Sequence, residues 1–161
     1  MPDMLVKLYT LPDNSELVEN LKKDGIEIRR AMAPDKFRIV PWVQEHSSLS
    51  AAGECDTSFG NRPISCFIAT KGAQILGYAC YNATCINFFG PTKVLEEEQG
   101  KGIGKALLIR SMEAMRDEGF AYTIIGGVGP AAFYEKSVHA TLIEDSTPGI
   151  YKDFLGGMKT K

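Results

Sequence analysis

Apolar and polar positions change rhythm several times along this chain, and the changes mark out its elements. Met4 to Tyr9 suits a short strand. Pro12, Asp13 and Asn14 mark a turn, and Ser15 to Lys23 reads as a helix closed by Gly25. Ile26 to Met32 alternates apolar and polar residues, as a half-buried strand does. Pro34 and Asp35 open a further helix whose apolar members are Phe37, Val40, Trp42 and Val43. Pro41 is expected to break or kink it, because proline has no N–H to give and crowds the preceding turn. Ser47 to Pro63, rich in Ser, Gly, Ala and Asn, reads as irregular chain or a weak helix, and as a substrate-facing loop.

Beyond Pro63 the pattern sharpens. Ile64 to Thr70, Gln74 to Tyr81 and Cys85 to Leu95 are β-rich runs joined by short turns, which predicts an antiparallel meander. Pro91 in the third run marks an edge, a bulge or a local break in pairing. A glycine-rich turn, Gln99 to Gly104, leads into a helix from Ile103 to Glu118. Its apolar face carries Leu108, Met112 and Met115, and Gly119 is placed to end it. Phe120 to Val128 reads as a buried strand with a parallel neighbour. Pro130 to Lys136 starts a short helix, and Thr141 to Glu144 is a candidate last strand. Antiparallel strands first and a strand–helix–strand crossover second predict an α/β (α+β) domain. Its mixed, mostly antiparallel central sheet is flanked by helices. At 161 residues the expectation is one domain over 1–161.

Composition narrows the class of partner. A net charge of −2 and the lack of a basic run argue against nucleic acid. No segment approaches the roughly 20 apolar residues of a membrane span, so no membrane partner is expected. The expected location is cytoplasmic and reducing. Cys55, Cys66, Cys80 and Cys85 include no C-x-x-C pair, and His46 and His139 fit no ligand pattern, so no metal is expected. Cys66 and Cys80, inside apolar runs, read as buried inert thiols.

The glycine-rich turn carries the chemistry. Gln99-Gly100-Lys101-Gly102-Ile103-Gly104-Lys105 stands between a strand and a helix. Glycines at alternate positions let main-chain amides crowd together, and the helix start adds unpaired N–H groups and the positive end of its dipole. That combination is a cradle for a pyrophosphate, with Lys101 and Lys105 adding charge. Ala106 follows Gly104-Lys105 where a nucleoside-triphosphate loop needs Ser or Thr. The third glycine of a dinucleotide fingerprint is replaced by Lys105.

These residues resemble the GNAT superfamily of acyl-CoA-dependent N-acetyltransferases. The family's [RQ]-x-x-G-x-[GA] is matched by Gln99-Gly100-Lys101-Gly102-Ile103-Gly104, preceded by Val94-Leu95 and followed by Leu107-Leu108. A second family element, F-Y-x-K, is matched by Phe133-Tyr134-Glu135-Lys136. The resemblance covers about 26–144, with 1–24 as an N-terminal extension and a candidate for homodimer formation. It implies acetyl-CoA as cosubstrate. The main chain of Val94 and Leu95 would pair with the pantetheine arm, and amides from Gln99 through Gly100, Lys101, Gly102, Ile103 and Gly104 to Lys105 would hold the pyrophosphate. Tyr134 would stand near the thioester sulfur as general acid. Three departures stand out: Glu96 replaces the usual proline and begins an acidic run, Gly127 falls where many relatives carry asparagine, and His139 replaces a glycine that often begins the final strand.

Acyl transfer to an amine needs a neutral nucleophile, a donor for the oxygen that gains charge and a proton for the departing thiolate. The N–H near Leu95 is the expected donor and Tyr134 the expected acid. Glu45, His46, Glu54 and Asp56 are candidates for the base, with water as the alternative. The acceptor is read as a small amine or a peptide amine. Two other readings keep parts of this picture: a non-catalytic acyl-CoA-binding regulatory module, and an interaction domain whose turn binds nothing.

Overall fold

The computed structural model describes residues 1–157. Its centre is a seven-stranded sheet built from β1 (Met4–Lys7), β2 (Ile26–Arg30), β3 (Cys66–Lys71), β4 (Gln74–Tyr81), β5 (Phe88–Val94), β6 (Tyr122–Ile125) and β7 (Thr141–Leu142). The spatial order is β2-β3-β4-β5-β6-β1-β7. Every neighbouring pair is antiparallel except β5 and β6. The helices are α1 (Ser15–Lys23), α2 (Lys36–His46), α3 (Leu49–Ser58), α4 (Ile103–Asp117) and α5 (Ala131–Val138). Among the described residues no helix is long and apolar enough to cross a membrane.

Both faces of the sheet are covered, and β3 shows how. Phe67 and Ala69 enter one apolar core, with α1 and α4, while Cys66 and Ile68 enter a second core with α2 and α3. Side chains alternate across a strand, so a strand buried on both faces is apolar at every position even in an antiparallel sheet. On α4 the predicted face is buried: Leu108, Met112 and Met115 are nearly inaccessible.

Several local expectations change. β1 is shorter than predicted, because Leu8–Thr10 tightens into a 3-10 turn. α2 runs through Pro41 without stopping. Pro41 and Phe37 both lie on the exposed side, so the Phe37 carbonyl that loses its partner faces solvent. The segment after His46 is a real helix, α3, whose Ser48 hydroxyl accepts a 3.0 Å hydrogen bond from the Ala51 N–H. The strand expected over Phe120 to Val128 shrinks to Tyr122–Ile125, with Tyr122 exposed and Gly126 and Gly127 ending it. β7 is only two residues long and pairs with β1. His139, in the place of a glycine, keeps a positive φ of 57° as it ends α5.

The sheet opens between β5 and β6. β5 and β6 pair only at Phe88 with Ile124 and Phe89 with Ile125. β5 then continues to Val94 while β6 stops, leaving a wedge on that side of β5.

Candidate active site

The wedge exposes main-chain groups of β5 by register. Val94 stands opposite Gly77 and Thr92 opposite Ala79, and Leu95 donates to the Leu76 carbonyl at 2.9 Å. Antiparallel partners alternate between hydrogen-bonded and non-bonded pairs. Leu95 with Leu76 is a bonded pair, so Val94 and Thr92 turn their N–H and C=O groups away from β4 and into the wedge. This narrows the expected donor near Leu95 to its neighbour. Its N–H is held by Leu76, and its carbonyl accepts from the Glu98 N–H at 2.9 Å. Val94 is the residue with an N–H left to give, and its carbonyl already accepts from the Gln99 side-chain amide at 3.3 Å.

Past Val94 the acidic run coils into a 3-10 turn, Glu96–Glu98, and the glycine turn follows. Gln99 spends its N–H on the Glu96 carbonyl, so it cannot serve the cradle with its main chain. Gly100 and Gly102 take positive φ values of 86° and 90°, a region that side chains make costly. Gly104 lies inside α4. The first intrahelical bond runs from the Ala106 N–H to the Gly102 carbonyl. Among the described residues, no main-chain N–H from Gly100 to Lys105 has a protein acceptor. That run of free donors at the start of a fifteen-residue helix fits an anionic phosphate group. Lys105 is exposed beside it, whereas Lys101 is paired with Glu98. α1 shores the turn up from behind: a Cβ on Gly102 would come within 2.7 Å of Leu17.

The other wall of the wedge is the segment from β6 into α5. Tyr134 is 7% exposed and lines a cleft of about 1140 Å³. Burial raises its phenol above the ordinary value, so it stays protonated at neutral pH. The cleft continues from Thr92, Gly129 and Tyr134 towards α3 and the segment 147–156. Of the base candidates, Glu54 alone lines it, and its carboxylate accepts a hydrogen bond from the Thr84 hydroxyl. Among the described residues Glu54 is the only charged side chain of the lining; Tyr151, nearby, has its phenol pushed up to about 12 by burial first and then by Glu54 and Asp3. Asp56 is paired with Lys36 at 2.9 Å, and His46 stacks on Trp42 at 4.5 Å with its Nδ1 near the Trp42 carbonyl. Neither His46 nor Glu45 borders the cleft.

Two features escaped the reading of the sequence. Segment 147–156 brings Ile150, Tyr151, Phe154 and Leu155 to the cleft, which only tertiary packing determines. Cys55, Cys66 and Cys80 meet in the second core, their sulfur atoms all within 4.8 Å of one another. Their sequence spacing gave no hint, because one comes from a helix and two from neighbouring strands.

Comparison with known proteins places this geometry. The family described as Acetyltransferase (GNAT) matches residues 26–139. A search of curated proteins finds no match. Among solved structures, the GCN5-related glucosamine N-acetyltransferase region of a fungal multi-domain GH3 beta-N-acetylglucosaminidase superposes with a TM-score of 0.71. It is 11% identical over 88% of this chain and 19% of its own. A GCN5-related N-acetyltransferase from Sphaerobacter thermophilus gives 0.63 at 17% identity, over 88% of this chain and 48% of its own. The chain therefore spans half or less of these two proteins. A GNAT family acetyltransferase from Brucella melitensis, in complex with acetyl-CoA, gives 0.51 at 18% identity, over 73% of this chain and 86% of its own. At these identities the likeness is one of fold.

Proposed function

We propose, from the premise that this chain belongs to the GNAT acetyltransferase family, that it moves an acetyl group from acetyl-CoA to a small amine held in the cleft beside Glu54. The observation that carries this reading is the run of unpartnered amides from Gly100 to Lys105 at the mouth of the β5–β6 wedge. The cradle fits a pyrophosphate because Gly100 and Gly102 take the positive φ values that leave these amides unpartnered, and no side chain at Gly100 fills the open space there. Acetyl-CoA supplies the acetyl group on a thioester; the protein supplies position and protons.

The free N–H of Val94 is aimed into the wedge and is the donor for the acetyl oxygen as that oxygen gains charge. Such a donor is preorganised by the β4–β5 ladder and costs no rearrangement when it acts. Tyr134 gives its proton to the departing sulfur. For an ordinary phenol near 10 and a thiol near 8.5 that transfer is uphill by about 2 kcal/mol, and burial of Tyr134 makes it steeper still. On the acceptor side an amine arrives protonated at neutral pH. Glu54, the one carboxylate among the described lining residues, attracts the cation and takes its proton, directly or through water. Phe89, Val128, Ile150 and Phe154 give the cleft an apolar character suited to the body of the acceptor.

The test is product analysis by chromatography, with acetyl-CoA and a panel of aliphatic and aromatic primary amines. The expected result is matched formation of free coenzyme A and acetylated amine for at least one small amine. Tight binding of acetyl-CoA in calorimetry with no product from any amine would overturn catalysis and leave a binding module. No binding at all would overturn the site.

A further inference from the structure

The buried thiols of the second core take no part in acetyl transfer as derived above, yet three elements converge to bring them together. Cys66 and Cys80 are direct partners across β3 and β4, and Cys55 packs down on them from α3. All three are fully buried, and their sulfur atoms lie within 4.8 Å of one another. Ser58 sits 3.7 Å from the Cys80 sulfur, but its hydroxyl donates to the Cys55 carbonyl. Among the described residues no histidine, carboxylate or further thiol joins the group. The remaining surroundings are largely apolar, with Ile39, Val43, Phe59 and Ile68 in the same core.

A donor set of this kind is selective. Thiolates are soft ligands, so hard ions that take oxygen are excluded. Zinc closes a structural site with four ligands, and here burial leaves no solvent position for a fourth. A three-coordinate centre with bonds of about 2.3 Å sets its sulfurs at most about 4 Å apart, and closer still in a pyramid, so the thiols draw inward from their present spacing to hold one. Charge decides further. Each thiol loses a proton on ligation, and an uncompensated charge in an apolar core is costly. Three thiolates carry three negative charges; copper(I) or zinc would leave part of that charge behind, whereas a trivalent centre cancels it. Trivalent arsenic is such a centre, a trigonal pyramid whose lone pair fills the fourth position.

We propose that Cys55, Cys66 and Cys80 form a buried three-sulfur site for a trivalent thiophilic ion of the arsenite class, and that filling it staples α3 to β3 and β4. Three S–H bonds and three As–OH bonds break, three As–S bonds form and three waters leave, with nothing oxidised or reduced. The opposite side of α3 presents Gly53, Glu54 and Thr57 to the cleft, so a filled site fixes that wall. This last consequence rests on the acetyl-transfer reading; the site itself does not.

Native mass spectrometry of the reduced protein with sodium arsenite tests it. The wild type and Cys85→Ser should gain one arsenic less three hydrogens. Cys55→Ala, Cys66→Ala and Cys80→Ala should each lose at least about tenfold in affinity, with circular dichroism checking that each still folds. A readout independent of the variants is amide exchange in wild-type Leu49–Ser58, which should slow on adding arsenite while α4 is unchanged. An adduct lacking only two hydrogens, an adduct that depends on Cys85, or unchanged exchange in α3 would overturn the proposal. So would displacement of arsenic by equimolar zinc or copper(I). Loss of acetyl transfer from the protein's repertoire would leave these results unaffected.

Discussion

Tyr134 owes its chemistry to where its ring is packed. Buried at the wedge with a phenol raised by desolvation, it still holds its proton at the pH, about 10, where an ordinary phenol gives it up. Tyr134→Phe keeps the ring and removes only the proton, so turnover should fall by about 10²–10⁴-fold while the calorimetric affinity for acetyl-CoA stays close to wild type. If Tyr134 is the acid, kcat in the wild type should decline only above about pH 10, because ionisation removes the proton the step uses. Glu54→Gln keeps the hydrogen-bonding shape and removes the charge. It should raise KM for a cationic amine and lower kcat/KM, with acetyl-CoA binding again spared; an unchanged kcat/KM would return the proton to water. The helix that brings Tyr134 to the cleft was legible because F-Y-x-K is a local signal. Glu54 was one of several candidates, because sequence alone does not say which way a helix turns each side chain. Glu54 and Cys55 are adjacent, yet α3 sends the first to the cleft and the second into the core.

At the scale of elements, the glycine turn separates into positions that need glycine and one that does not. Gly100 holds φ at 86° with open space around it, so Gly100→Ala costs backbone strain alone, about 1–2 kcal/mol. Gly102→Ala adds the 2.7 Å approach to Leu17, which can move because the contact is a side-chain end. Gly104 is helical, and its Cβ would meet Val94 and Phe133 at ordinary distances of 3.7 and 3.8 Å, so Gly104→Ala should leave stability equal or raise it by up to about 1 kcal/mol. Thermal melts with acetyl-CoA titrations check the series. Gly100→Ala and Gly102→Ala should lose about tenfold or more in affinity, worth 1.4 kcal/mol, and Gly104→Ala much less. The turn and α4 were readable because glycine spacing and a helical apolar stripe are both local. Which N–H near Leu95 faces the wedge was not legible, because it depends on the register between β4 and β5. Pro41 does not break α2, because its cost depends on whether the freed carbonyl meets water.

For the whole molecule, the decisive pairing is the one farthest apart in sequence. β1 lies between β6 and β7, with Met4 opposite Ile125 on one side and Leu142 on the other. Met4, Val6 and Leu8 are fully buried, and nothing in their local pattern names those partners. The resemblance begins at Ile26, so it could not show that the preceding chain completes the sheet. This segment also holds the site: the Asp3 carboxylate accepts from the Gly127 N–H at 2.9 Å, and the Pro2 carbonyl accepts from the Val128 N–H at 2.8 Å. Gly127 and Val128 belong to the wall opposite β5, so the N-terminus fixes one side of the wedge. Met4→Ala and Leu8→Ala should each cost about 2–5 kcal/mol, a large part of a domain's usual 5–15. Removing residues 1–8 should abolish cooperative unfolding, as seen in circular dichroism melts. Asp3→Ala separates support from folding. It leaves the strand in place and deprives the Gly127 N–H of its acceptor, costing about 1–3 kcal/mol, so turnover should fall more than the melting temperature implies. If Asp3→Ala melts lower yet works at the wild-type rate, the wall does not depend on the N-terminus for its shape. The strand would then serve the sheet alone.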